Sequence, residues 1–310
     1  MSDDILSQLA AGQRLLLDGG IGSELQRRGL NLAKGVRSEY ETGPWSATAM
    51  GDAPEVVRAV HEDYLRVGVD IVTTNSFWTN RPMLDMVGLA EKMESYTRLA
   101  VQLARDARDR FNPAAFVAGS MCPPRYGDLG LEFSDQSQVI AESGADLLLL
   151  ELVGSTAEAQ AAIDAVSKID LPVFLGIPVT NHATIRTGLG EDTHETVESL
   201  VQALKGRRVD AILSMCSTPQ QITAALPKLI EAFDGPVGAY ANIGYKHTRK
   251  PVKFPERQYV YIDTGENTPA RYAECCRKWL DMGAAIIGGC CATTPEHIGA
   301  LRPLVTGVTV

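Results

Sequence analysis

The 310-residue chain is 45% hydrophobic and 22% charged, enough apolar material for a large buried core and unlike a disordered segment. Its formal net charge of -9 argues against a nucleic-acid partner, because phosphate backbones are bound through clustered Lys and Arg. The start of the chain, with Asp3 and Asp4, lacks the basic region of a signal peptide, and no apolar run reaches membrane-spanning length. A cytoplasmic protein with no membrane partner is therefore expected.

Short runs rich in Val, Ile and Leu alternate with longer amphipathic stretches, the pattern of parallel strands joined by helical crossovers. The first strand is predicted over 14–20 and ends in Asp18, Gly19 and Gly20. A helix over 54–67, opened by Pro54, leads to the second strand, 70–77, which carries Thr73, Thr74 and Asn75. Helix 91–108 precedes the third strand, 115–121, after which Cys122 meets Pro123 and Pro124. The fourth strand, 146–152, brings Glu151 to its end, and helix 156–168 leads to the fifth, 172–179. Helix 195–204 precedes the sixth strand, 211–216, which closes on Cys216. Helix 219–233 precedes the seventh, 236–242, which closes on Asn242. The basic stretch 246–253 reads as a solvated loop, and helix 269–282 leads to the eighth strand, 285–291, ending in Gly288, Gly289, Cys290 and Cys291.

Gly-x-Asp or a close variant precedes several strands, at Gly68, Gly144 and Gly283, where Gly can end a helix in a left-handed conformation. Eight βα units predict a single (β/α)8 TIM barrel over 1–310, with a doubly wound open sheet as the alternative. In such a barrel the active site forms where the strands end, so the polar residues there carry the most weight.

Six cysteines in a reducing compartment read as thiols or metal ligands. Cys216, Cys290 and Cys291 fall at the ends of the sixth and eighth strands, in one mouth. Adjacent strand residues point to opposite sides, so Cys290 and Cys291 share a metal only if the chain turns, which Gly288 and Gly289 permit. Three thiolates suit Zn2+ with a fourth position open. Cys275 and Cys276 read as mid-helix apolar residues, and Cys122 as a non-ligand turned away by the prolines after it.

Three segments then carry a family resemblance: LLLDGGIGSEL at 15–25, Val60 and His61 with GVDIVTTNSF at 68–77, and GGCCATTPEHI at 288–298. Over nearly its whole length the chain resembles the homocysteine S-methyltransferase family. That family includes betaine-homocysteine methyltransferase, S-methylmethionine-dependent enzymes and the homocysteine module of cobalamin-dependent methionine synthase. The resemblance implies zinc held by Cys290, Cys291 and Cys216, although Met215 stands where the family usually has Asn. It also implies that Asp18, Gly19, Thr74 and Glu151 hold the amino-acid end of homocysteine, which becomes methionine. Carboxylates suit the substrate's ammonium group. Read singly, Asp18 is equally a turn residue and Glu151 a rim ion pair.

The methyl donor expected is a small onium compound such as S-methylmethionine or a betaine, for which aromatic faces are suited. Trp45, Trp78 and Asn242 are the candidate donor-binding residues, and both tryptophans serve equally well as packing at the barrel top. Gly43-Pro44-Trp45 resembles the betaine-using branch, whereas Leu152 replaces that branch's tyrosine. The alternatives are a corrinoid-protein-dependent thiol methyltransferase and a non-catalytic zinc-binding barrel. Thiolate-rich ligation argues against zinc hydrolysis. Association into a homo-oligomer is left open.

Overall fold

The computed structural model describes residues 4–36, 43–188, 190–244 and 266–307. The basic stretch 246–253 lies outside these residues. Among the described residues ten strands follow one another: β1 (Leu15–Leu16), β2 (Ile71–Thr73), β3 (Phe116–Met121), β4 (Leu147–Leu150), β5 (Val173–Pro178), β6 (Thr184–Arg186), β7 (Asp192–Thr196), β8 (Ala211–Met215), β9 (Val237–Ala241) and β10 (Ile286–Gly289). Eight of them form one parallel sheet in the order β1-β10-β9-β8-β5-β4-β3-β2. The sheet returns on itself at a parallel bridge between Leu17 and Ile71, where the Asp18 amide donates to the Ile71 carbonyl at 3.1 Å. This is the expected TIM barrel.

Alternation along each strand separates two cores. Leu15, Leu17, Leu147, Leu149, Phe174, Leu213 and Ile286 fill the barrel, while Leu16, Leu148, Leu150 and Leu175 face the surrounding helices. Those helices include Pro54–Arg66, Met93–Phe111, Leu129–Glu142, Thr156–Val166, Pro219–Ala232 and Pro269–Met282. The glycines before the strands do adopt left-handed backbone, at φ 87° for Gly68, 83° for Gly144 and 117° for Gly283. The acids two residues on have a further use: Asp70 accepts from the Leu16 amide at 2.9 Å and Asp146 from the Val117 amide at 2.7 Å. Asp210 does the same for the Val173 amide at 2.8 Å. Each carboxylate satisfies a backbone donor at the start of a neighbouring strand, where the ladder has not yet begun.

Three differences from the sequence reading have physical causes. The second strand stops at Thr73, not at 77, because the next residues turn: Ser76 donates through its hydroxyl to the Ser120 carbonyl at 2.7 Å, and Thr79 closes a turn onto Ser76. The helix expected from 195 begins at Val197, because β7 pairs with β6 as an antiparallel hairpin before it. Helix Leu129–Glu142, absent from the reading, starts where the Asp128 side chain caps the Leu131 amide at 3.0 Å. No described helix is long and apolar enough to cross a membrane.

The short helix Ile5–Ala10, capped by Asp4, places Ile5 and Leu9 in the same cluster as the barrel-filling residues. It precedes β1 and so closes the end of the barrel opposite the strand termini. Ile5→Ala and Leu9→Ala are each expected to destabilise the fold by about 2–5 kcal/mol, the range for buried large-to-small changes. Denaturant unfolding measures this; midpoints at the wild-type value would mean that the barrel end needs no plug.

Candidate active site

A cavity of ≈ 620 Å³ opens where the barrel strands end, within the size range of small-molecule sites. It is lined by residues following β1, β2, β4, β8, β9 and β10, among them Asp18, Gly19, Thr74, Glu151, Cys216, Asn242, Cys290 and Cys291.

Cys216, Cys290 and Cys291 meet at one side of this cavity, with their sulfur atoms all within 4.8 Å of one another. The ladder delivers them: the Cys216 amide donates to Tyr240 at 3.1 Å and the Cys290 amide to Ala241 at 2.9 Å. Cys216 then leaves the strand with φ 45°, a conformation that costs a non-glycine residue about 1–2 kcal/mol. Its turn sends the side chain inward. The Cys290 and Cys291 sulfurs stand 3.9 Å apart, close to the ~3.8 Å that two thiolates span around a tetrahedral zinc with Zn–S near 2.3 Å. Three sulfurs at this spacing, carried by half-buried cysteines, fit a soft divalent metal with one position open.

The glycines before these cysteines act differently from expectation. Neither Gly288 nor Gly289 has a positive φ, and the left-handed residue is Ala292, at φ 73°. What glycine supplies is clearance: a Cβ at Gly288 would lie 2.6 Å from the Leu17 Cβ, and one at Gly289 would collide with the Thr293 hydroxyl. β10 can thus press against β1 while Thr293 donates to the Cys290 carbonyl at 2.7 Å.

Cys216 is the thiol held well below its ordinary range, first by hydrogen bonds from Cys290 and Cys291. Burial opposes this, while the Arg186 charge and the Asn242 amide assist. Cys290 and Cys291 are pushed up, first by hydrogen bonding with Cys216. Asn242 lies 3.7 Å from the Cys216 sulfur through Nδ2 and accepts the Gly244 amide at 3.1 Å through Oδ1. The residue expected to touch the methyl donor therefore stands beside the sulfur cluster. Met215 accepts through Sδ from the Leu152 amide at 2.8 Å, supporting the loop after β4, and its sulfur lies 3.2 Å from the Tyr240 hydroxyl oxygen.

Asp18 and Glu151 are both buried. Asp18 accepts from the Thr73 amide at 2.8 Å and from the Thr73 hydroxyl at 3.0 Å. Burial nevertheless raises its carboxyl well above the usual range, and the Glu151 charge adds to the rise. Glu151 accepts from the Ser120 hydroxyl and, at 3.0 Å, from the Tyr240 hydroxyl, while burial lifts it to about 7. Two acids raised in this way are ready for a cation, which would restore both carboxylates. Thr74 is part of the wall between them. Its hydroxyl is 2.6 Å from Ser76 and accepts the Ser120 amide at 3.0 Å; because Ser76 gives its proton to the Ser120 carbonyl, Thr74 is the donor to Ser76. A lone pair of Thr74 is left to accept from an ammonium group.

Sequence reasoning missed Ser120, Tyr240 and Arg186, and named Thr73 only as a polar residue at a strand end. Alternation along β9 puts Tyr240 inside the barrel, and alternation along β3 does the same for Ser120, two residues after Ala118, a signal that could have found both; Arg186 had none. Both tryptophans line the cavity. The Trp78 indole donates to the Pro123 carbonyl at 3.2 Å, and the Arg125 guanidinium lies 5.1 Å from its ring centre, on the surface expected to receive an onium group. Trp45 begins a short 3-10 turn, Trp45–Thr48, with φ 50°, and its indole leaves no room for a Cβ at Gly22. Cys122 is buried against Trp78 and Met83, outside the sulfur cluster. Cys275 and Cys276 lie within helix Pro269–Met282, as expected.

Residues 15–305 match the family model described as homocysteine S-methyltransferase. The chain is 28% identical to homocysteine S-methyltransferase 3 of Zea mays, over 94% of this chain and 90% of that protein. It is 27% identical to a selenocysteine Se-methyltransferase of Brassica oleracea var. italica, over 94% and 88% respectively. Among solved structures it is similar to the metallated form of the homocysteine methyltransferase MmuM from Escherichia coli. That match has a TM-score of 0.73 and 26% identity, covering 96% of this chain and 98% of the other.

Proposed function

The chain belongs to the homocysteine S-methyltransferase family, and from that premise we propose that it moves a methyl group from a small onium donor to the thiol of homocysteine at a zinc centre. It is a methyltransferase with a TIM-barrel fold. The observation that carries the proposal is the group of three sulfurs within 4.8 Å of one another, in a cavity that also holds two buried acids.

Cys216, Cys290 and Cys291 would hold the metal. A zinc ion bound there supplies the acidity that makes a substrate thiol, ordinarily near pKa 8.5, nucleophilic at neutral pH. The remaining work falls to the chain. Glu151 and Asp18 take up the ammonium group of homocysteine, with Thr74 as a further acceptor, so the acceptor sulfur is directed toward the cysteines. Ser120 and Tyr240 hold Glu151 in place through hydroxyl donors on both carboxylate oxygens. Asn242 keeps an amide donor near the Cys216 sulfur. Trp45 would flank the donor, whose onium methyl leaves a neutral group behind. A stacked aromatic face is worth about 0.5–2 kcal/mol to such a cation. Six free thiols suit the reducing cytoplasm.

Purified protein supplied with homocysteine and, one at a time, S-methylmethionine, a betaine and a methylated corrinoid protein decides the donor. Methionine is expected with an onium donor, and Trp45→Ala should raise its KM up to about 30-fold. Turnover with the corrinoid protein alone, with Trp45→Ala and Trp78→Ala silent, would replace the diffusible donor by a protein partner. Selenocysteine belongs in the same panel as an acceptor, given the relative that bears its name.

A further inference from the structure

The β6–β7 hairpin interrupts the alternation of strand and helix between β5 and β8 and lies over the cavity mouth. A bridge between Val179 and Ile185 ties it to the end of β5, and the Thr156 amide donates to Glu195 at 2.6 Å. Gly154 lets it approach the loop after β4: a Cβ there would come within 2.8 Å of the Thr187 Cα. The hairpin is thus docked on both sides and can place a side chain accurately.

The side chain it places in the cavity is Arg186. One terminal nitrogen donates to the Cys216 carbonyl, and the other reaches the Thr187 carbonyl at 3.4 Å. A guanidinium has five N–H groups, so donors remain after both contacts. The described cavity lining is acidic at Asp18, Glu151 and Glu266, and its cations are Arg186 and Arg125, the latter stacked over Trp78. Arg186 is the one anchored beside the sulfur cluster. Its hairpin also adjoins the loop that carries Glu151, since a Cβ on Gly188 would lie 3.1 Å from the Leu152 side chain.

We propose that Arg186 is a specificity-determining residue that receives the carboxylate of a zwitterionic substrate while the buried acids receive its ammonium group. This rests on the functional reading above and adds the residue that distinguishes an amino acid from a simple amine. Cation and acids occupy neighbouring parts of one mouth, which suits opposite charges carried on a single carbon. The carboxylate could belong to the acceptor or to the donor, and the chemistry at Arg186 is the same: a planar fork meeting a planar anion.

Calorimetry on zinc-loaded wild type, Arg186→Gln and Arg186→Lys tests this with two pairs of compounds, zinc content being measured in parallel. Homocysteine is compared with its decarboxylated counterpart 3-aminopropanethiol, and S-methylmethionine with (3-aminopropyl)dimethylsulfonium. Arg186→Gln should weaken the carboxylate-bearing member of one pair by about tenfold to a hundredfold and leave its carboxylate-free partner unchanged. Arg186→Lys should recover part of the loss. A loss confined to homocysteine assigns the acceptor's carboxylate, and one confined to S-methylmethionine assigns the donor's. Equal losses within both pairs would mean that Arg186 acts only through the Cys216 backbone, and no loss would mean that it has no part in binding; either overturns the inference alone. Failure of wild-type protein to bind homocysteine would overturn the functional reading itself.

Discussion

Wild-type protein is expected to bind about one zinc per chain, and Cys216→Ser, Cys290→Ser and Cys291→Ser are each expected to lose it. Methyl transfer to homocysteine should be lost with it. Even outer partners of metal ligands cost about 10–100-fold in affinity when removed, so deleting a thiolate from a three-sulfur set should exceed that. Serine keeps the size of the side chain but not a soft anion, and the remaining two sulfurs cannot close a tetrahedral site. Cys275→Ser is the control, because that residue lies in helix Pro269–Met282 and away from the cluster. Metal analysis of the four purified variants decides the matter, and a single variant that retains full zinc removes its residue from the ligand set.

Glu151→Gln is expected to bind homocysteine roughly 10–150-fold more weakly, the equivalent of about 1.5–3 kcal/mol for a lost charged hydrogen bond, with zinc retained. The pH dependence makes the test sharper. Burial lifts the Glu151 carboxyl to about 7, so below that pH the substrate-free group is neutral and offers no charge to an ammonium. Wild-type affinity should therefore gain a step as pH rises through about 7, and the Gln variant should lack it. Folding moves in the opposite sense. A carboxyl raised on folding contributes stability that is fully present below its unfolded value near 4.5 and is lost as pH passes about 7. Glu151→Gln should thus lose less stability than wild type as pH rises from about 4.5 to about 7. Identical pH profiles for binding in the two proteins would return Glu151 to a structural role.

What the sequence alone determined is the barrel and the sulfur cluster. Strand runs announce themselves through local apolar content and through the Gly-x-Asp turns before them, and these features depend on near neighbours only. The adjacent Cys290 and Cys291, with Cys216 at the end of another strand, could be placed in one mouth because a closed barrel leaves a strand end few other places to go. The sequence also separated these from Cys275 and Cys276 by their helical surroundings. Only the tertiary structure decided how each group is held. The hydroxyls on Glu151 come from Ser120 and Tyr240, 31 and 89 residues away, and Arg186 reaches a carbonyl 30 residues ahead. These partners are set by strand register and by a hairpin packed across the mouth, and no local pattern encodes either. The same holds for Ile5 and Leu9, whose helix looks like any short amphipathic start until the barrel behind it requires a plug. Asn242 is the clearest case: its place at the end of a strand was legible, but which neighbour its amide would meet depended on how β8 and β9 align, and that alignment puts it beside the Cys216 sulfur.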